Sequence, residues 1–201
     1  MKKIIVLIIG LLFSNSAICQ SAETYFYRGM SKIKSEDYMG ALLDFNKSIE
    51  LNPKNASSFV NRAGAKVELN DYRGAISDYN KAIELNPNDA KAYYSRGRTK
   101  FELEDYLGSI LDETKAIELN PKYESAYYNR AVAKGKLKDY RGGISDLTKV
   151  IELNPKRADA YFYRGTAKAI VEDKNGSCLD WSKAGELGYM EAYDSIKKYC
   201  N

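Results

Sequence analysis

The chain has 201 residues, 44% hydrophobic and 29% charged, with 31 Lys and Arg against 27 Asp and Glu and no histidine. That is the composition of a folded, soluble chain, and the missing histidine removes the commonest acid–base, triad and zinc-ligand residue. A formal charge of +4, spread along the sequence rather than clustered, argues against nucleic acid as a partner. At the N-terminus, Lys2 and Lys3 precede an apolar run from Ile4 to Phe13, followed by small and polar residues and Ala17-Ile18-Cys19. That order predicts a secretory signal peptide over 1–19, since ten apolar residues are too few to span a bilayer. Cleavage is expected between Cys19 and Gln20, which lowers the net charge to +2 and gives an exported protein, periplasmic or secreted. A competing reading makes Cys19 a lipid anchor. It is the weaker one, because Ile18 stands where a small residue is wanted.

From residue 22 onward the sequence repeats every 34 residues, in units 22–55, 56–89, 90–123, 124–157 and 158–191. Ile-Glu-Leu-Asn-Pro recurs at 49–53, 83–87, 117–121 and 151–155, and all four prolines of the chain fall in that register. A fixed period of this length marks a stacked array. Each unit opens on an aromatic residue (Tyr25, Phe59, Tyr93, Tyr127, Tyr161), with a small residue four places on and another twelve beyond. Paired small residues predict two closely packed helices, with Phe45, Tyr79, Leu147 and Trp181 filling the groove between them. Asp37, Asp71, Asp105, Asp139 and Asp173 are placed to cap the second helix, and Asn-Pro stops it in four units. A glycine recurs near the start of each second helix (Gly40, Gly74, Gly108, Gly142, Gly176). The expected reason is close backbone approach to a neighbouring helix.

These residues closely resemble the tetratricopeptide repeat family over 22–191. The resemblance implies an all-α superhelical solenoid of five helix-turn-helix repeats, right-handed, with a concave groove lined by the first helices. It also implies a protein-binding scaffold and no cofactor. The chain departs from the commoner family pattern in carrying Arg28, Arg62, Arg96, Arg130 and Arg164 where leucine is frequent. Lys32, Lys66, Lys100, Lys134 and Lys168 stand where tyrosine is frequent. Asp44, Asp78, Asp112, Asp146 and Asp180 answer them on the second helices, so a ladder of ion pairs is expected. One subset of the family grips acidic C-terminal peptides through a lysine and asparagine clamp. Phe26 and Met30 stand at the first two of those places, so that specificity is not carried over.

The fifth unit lacks the proline stop, and residues 192–201 read as a capping helix with Tyr193, Ile196 and Tyr199 on one side. Cys178 and Cys200 are an even pair in an exported chain and suggest a disulfide, the alternative being two buried thiols. No phosphate loop or metal motif is present. Glu113 occupies the place of Phe45, Tyr79, Leu147 and Trp181. It reads either as the mark of a site or, by preference, as a carboxylate reaching out to a nearby lysine or arginine.

A binding surface is expected where the units differ, on the groove face of the first helices. The candidates are Phe26, Met30, Val60, Tyr94, Arg98, Phe101, Tyr128 and Phe162. Aromatic and arginine side chains of this kind anchor interfaces. The function read from the sequence is a non-catalytic adaptor for a protein or peptide outside the cytoplasm. The alternative is a self-associating envelope component, because unit one shows Tyr25, Phe26 and Tyr27 with no obvious polar cap before them.

Overall fold

The computed structural model describes residues 21–200, so the signal-peptide cleavage site and Cys19 lie outside the described residues. Within them the chain forms eleven helices in antiparallel pairs. These are α1 (Ala22–Lys34) with α2 (Tyr38–Leu51), α3 (Ala56–Glu68) with α4 (Tyr72–Leu85), and α5 (Ala90–Glu102) with α6 (Tyr106–Leu119). There follow α7 (Glu124–Lys136) with α8 (Tyr140–Leu153), α9 (Ala158–Ile170) with α10 (Lys174–Glu186), and a final α11 (Glu191–Tyr199). Every helix packs on its neighbours in sequence, and the first helices of units one to four touch in succession. The result is an all-α superhelical solenoid whose core is a seam running its length.

The turn inside each pair is made the same way five times. The aspartate carboxylate accepts the amide of the residue three on, as in Asp37 Oδ1 with Gly40 N at 2.9 Å and Asp139 Oδ1 with Gly142 N at 2.9 Å. This corrects the expected reason for the recurring glycine. A Cβ at Gly40, Gly74, Gly108, Gly142 or Gly176 would stand 2.0–2.1 Å from the capping carboxylate, not against another helix. The glycine makes room for the cap. Two residues after each first helix, Glu36, Asn70, Glu104, Lys138 and Glu172 adopt φ of 60–66°, a left-handed conformation that costs most residues energy.

Close helix approach falls instead at the small residues of the first helices. A Cβ on Gly29 would meet the Phe45 ring at 2.8 Å, and one on Gly165 would meet Trp181 at 3.0 Å. Phe45, Tyr79, Leu147 and Trp181 are all buried, as their spacing predicts. Asn52, Asn86, Asn120 and Asn154 end the second helices immediately before the prolines.

The charged ladder is present in every unit. Arg62 donates Nε to Asp78 Oδ2 at 2.8 Å and Nη2 to Oδ1 at 2.5 Å, and Lys66 closes the triad at 2.7 Å. Arg28 and Lys32 hold Asp44 in the same way, and Arg28's hydrogen bonds keep that carboxyl below the usual carboxylate range despite its burial. The remaining guanidinium nitrogen ties each unit to the one before it. Arg62 reaches Asn46 at 2.7 Å, Arg96 reaches Asn80 at 2.6 Å, and Arg130 and Arg164 reach Thr114 and Thr148 at 3.0 and 3.1 Å. Each arginine also lies over its unit's opening aromatic ring, 4.8–5.6 Å from the centroid. One side chain therefore fixes the pitch of the pair and the stacking of pairs.

The two ends are finished differently. At the N-terminus Ser21 caps α1, its Oγ accepting from Thr24 N at 3.2 Å, so a polar cap does precede Tyr25. At the C-terminus Gly188, at φ 95°, turns the chain into α11. Ala192 is buried and Ile196 packs on Trp181, while Tyr193 and Tyr199 flank them half-exposed. Cys178 on α10 is joined to Cys200 with their Cα atoms 5.8 Å apart, closing α11 onto the last pair. Closing a loop of 22 residues restricts the unfolded chain by about 3 kcal/mol in the chain-entropy view.

Candidate functional site

On the inner face of units three to five the first helices open around a cavity of about 680 Å³. α5 contributes Arg98, Phe101 and Glu102. α7 contributes Tyr128, Asn129, Val132, Gly135 and Lys136, and α9 contributes Tyr163, Thr166, Ala167 and Ile170. Tyr140, Gly143 and Leu147 close it from α8. Most of this lining is apolar or aromatic, with polar groups at a few points. Such a surface suits a side chain or short segment better than a reaction.

Of the residues singled out in the sequence, Arg98, Phe101 and Tyr128 come together here. The others pack into the seam. Phe26 and Met30 lie against the Phe45 cluster, and Val60 lies against Ala63, Ala75 and Tyr79. Tyr94 packs at a tilt against Tyr123 with ring centroids 4.8 Å apart, and Phe162 stacks on Tyr189 at 4.6 Å beside Trp181. Tyr128 is covered from one side by Arg157, 3.8 Å above its ring. Arg157 is itself held by Glu124 at 2.7 Å and Asp159 at 2.9 Å. Burial, then Asp159, pushes the Tyr128 phenol above its ordinary value, so it stays neutral.

Sequence reasoning missed Asn129, Gly135, Lys136, Tyr140, Tyr163 and Ile170. The signal for some of them was present. One place beyond the candidates on each first helix stand Tyr27, Asn61, Ser95, Asn129 and Tyr163, which differ from unit to unit as the candidates do. In register with Gly135 stand Ile33, Val67, Phe101 and Ala169.

Glu113 does not reach out to a lysine or arginine. It is wholly buried, packed against Gly97, and neither carboxyl oxygen receives a hydrogen bond in this structure. Burial pushes its carboxyl up to about 9, Asp112 adds to the shift, and the charges of Arg98 and Arg130 only partly offset the loss of water. It is therefore a neutral acid at pH 7, sealed behind residues that line the cavity. Among the described residues no group of acidic or cysteine side chains is arranged to hold a metal ion, and no helix is long and apolar enough to cross a membrane.

Comparison with known proteins agrees with this architecture. A TPR repeat profile matches residues 63–104, and a tetratricopeptide repeat profile matches 90–123 and 124–157. No curated protein sequence matches the chain. Among solved structures, MamA is 24% identical with a TM-score of 0.77, covering 82% of this chain and 96% of its own. A MamA fragment from Desulfovibrio magneticus RS-1 is 19% identical with a TM-score of 0.78, covering 83% of this chain and 94% of its own. YrrB, described as a TPR protein with an unusual peptide-binding site, is 20% identical with a TM-score of 0.78, covering 89% of this chain and 93% of its own. The 34-residue unit, the stacked helix pairs and the repeat matches agree, and the chain belongs to the tetratricopeptide repeat family.

Proposed function

We propose that this protein is a non-catalytic binding scaffold whose concave face, over units three to five, takes a segment of a partner protein. One observation carries the reading. The Arg–Lys–Asp frame is the same in all five units, whereas the inner-face residues change from unit to unit and open a cavity at one place. The peptide-binding site ascribed to YrrB, which shares the fold, supports it. So does the chemistry of the lining, which offers apolar surface and no activated nucleophile. An exported location is part of the same proposal, supported by the N-terminal pattern and by the paired Cys178 and Cys200.

The test is photo-crosslinking in cells from Val132 and Tyr163, both lining the cavity, with Ser77 on an outward face as control. The expected result is one dominant adduct from the cavity positions and none from Ser77. Equal labelling from all three positions would refute the groove as the binding face. Adducts to the protein itself would favour self-association instead, for which exposed Tyr27 at one end and Met190 and Tyr193 at the other are the supporting features.

A further inference from the structure

Unit four is the one unit in which three filling positions are reduced together. Where units one, two and five bury Phe45, Tyr79 and Trp181, it has Leu147, and at the small place on the second helix it has Gly143. At the last turn of its first helix it has Gly135, where units one and two have Ile33 and Val67 packed on their own cores. A Cβ built on Gly135 meets nothing within 4 Å. All three residues line the cavity, so its volume arises largely from side chains that the other units supply and this one lacks. Beside it stand two cations, Lys136 and Arg98, both exposed and neither in an ion pair among the described residues, against one acid in the lining, Glu102. By contrast, Lys134, two residues before Lys136, is tied to Asp146 at 2.8 Å.

We infer that the partner completes unit four. Its segment inserts one bulky aliphatic or aromatic side chain, of the size of Ile33 or Phe101, into the space over Gly135. An acidic residue beside that anchor meets Lys136 and Arg98. The anchor gains by leaving water for an apolar wall, and the flanking charge gives orientation and preference more than strength. This rests on the groove-binding reading and adds to it the chemistry of what binds.

The probe is a panel of fluorescent ten-residue Gly-Ser peptides with a central Leu, Phe, Ala or Lys and flanks of Asp, Ser or Arg, read by anisotropy with the mature protein. Leu and Phe between Asp residues should bind best, at least roughly tenfold tighter than Ala. Lys136→Ala should abolish the preference for Asp over Arg. Gly135→Leu should lower affinity at least roughly tenfold while raising the thermal midpoint, because it fills the space and removes a helix glycine. Gly64→Ala, at an equally open glycine of the unit-two first helix outside the cavity, is the control, raising the midpoint with affinity unchanged. Affinity indifferent to the central residue or to the flanks overturns the inference. So does Gly135→Leu binding like wild type, or no peptide binding up to about 1 mM. If Val132 and Tyr163 still capture a partner in cells, the groove function survives and only its proposed anchor fails.

Discussion

Units two and four carry the same frame and use it differently. In each, an arginine and a lysine of the first helix close on a buried aspartate of the second at 2.5–2.8 Å. Unit two then fills the space between its helices with Tyr79, on which Val60 and Val67 pack. Unit four has Leu147 and no side chain at Gly135, and the cavity opens there. Backbone path and filling are thus separable. Polar triads hold the pair geometry, so apolar volume can be removed from one unit without moving its helices. A solenoid allows this because each unit leans only on its neighbours.

That separation is broken most directly at the aspartates. Asp146→Ala leaves Arg130 and Lys134, each about four-fifths buried, without their carboxylate, and should destabilise the array by about 3–5 kcal/mol in urea unfolding. Asp78→Ala should cost nearly the same, because the frame does not depend on what fills the unit. Asp44→Ala should cost less, since the Arg28 side chain is 45% exposed against 15% for Arg130. A loss below ~1 kcal/mol for Asp146→Ala would transfer the structural role from the triad to the filling.

Unit three sharpens the comparison, because its filling residue is a carboxylic acid. The Glu113 carboxyl titrates near 9 when folded and near 4.5 in its unperturbed state. Between those values the folded chain holds a proton that the unfolded chain has released. The stability this group contributes is therefore fully present below pH 4.5 and is lost as pH rises toward 9, by about 1.4 kcal/mol per pH unit. At pH 7 this amounts to roughly 3 kcal/mol. Glu113→Leu, which copies Leu147, should be more stable at pH 7, and its advantage should widen steadily between pH 5 and pH 8. A difference that stays constant over that range would mean the acid is already ionised in the folded protein.

The frame could be read from the sequence because it is periodic. Asp37, Arg28, Lys32 and Asp44 each recur five times, and a repeated spacing reports geometry even when the contacts are unknown. The recurring glycines were legible as a constraint but not as its cause, since backbone approach and room for the Asp37 carboxylate leave the same trace. The site was only partly legible. Residues that vary between units are as often fitted to one another across the seam, like Tyr94 on Tyr123, as they are open to a partner. What distinguishes the groove is a missing side chain at Gly135, and an absence stands out only when the units are compared position by position.

The smallest expected effect tests the turns that join each pair, and here units two and four differ again. Asn70 and Lys138 hold the left-handed position, at φ 61° and 63°. In both, the next residue returns its amide to the carbonyl five back, Asp71 N to Lys66 O at 2.8 Å and Asp139 N to Lys134 O at 2.9 Å. This is the helix ending that glycine usually supplies. Lysine has no side-chain means of easing that conformation, whereas asparagine adopts it at little cost. Glycine relieves the strain but adds freedom to the unfolded chain, so the two terms partly cancel. Lys138→Gly should therefore gain about 0.5–1 kcal/mol in urea unfolding, and Asn70→Gly close to nothing. Equal gains at both would show that the turn cost does not depend on the residue, and the five non-glycine residues there would then need another reason.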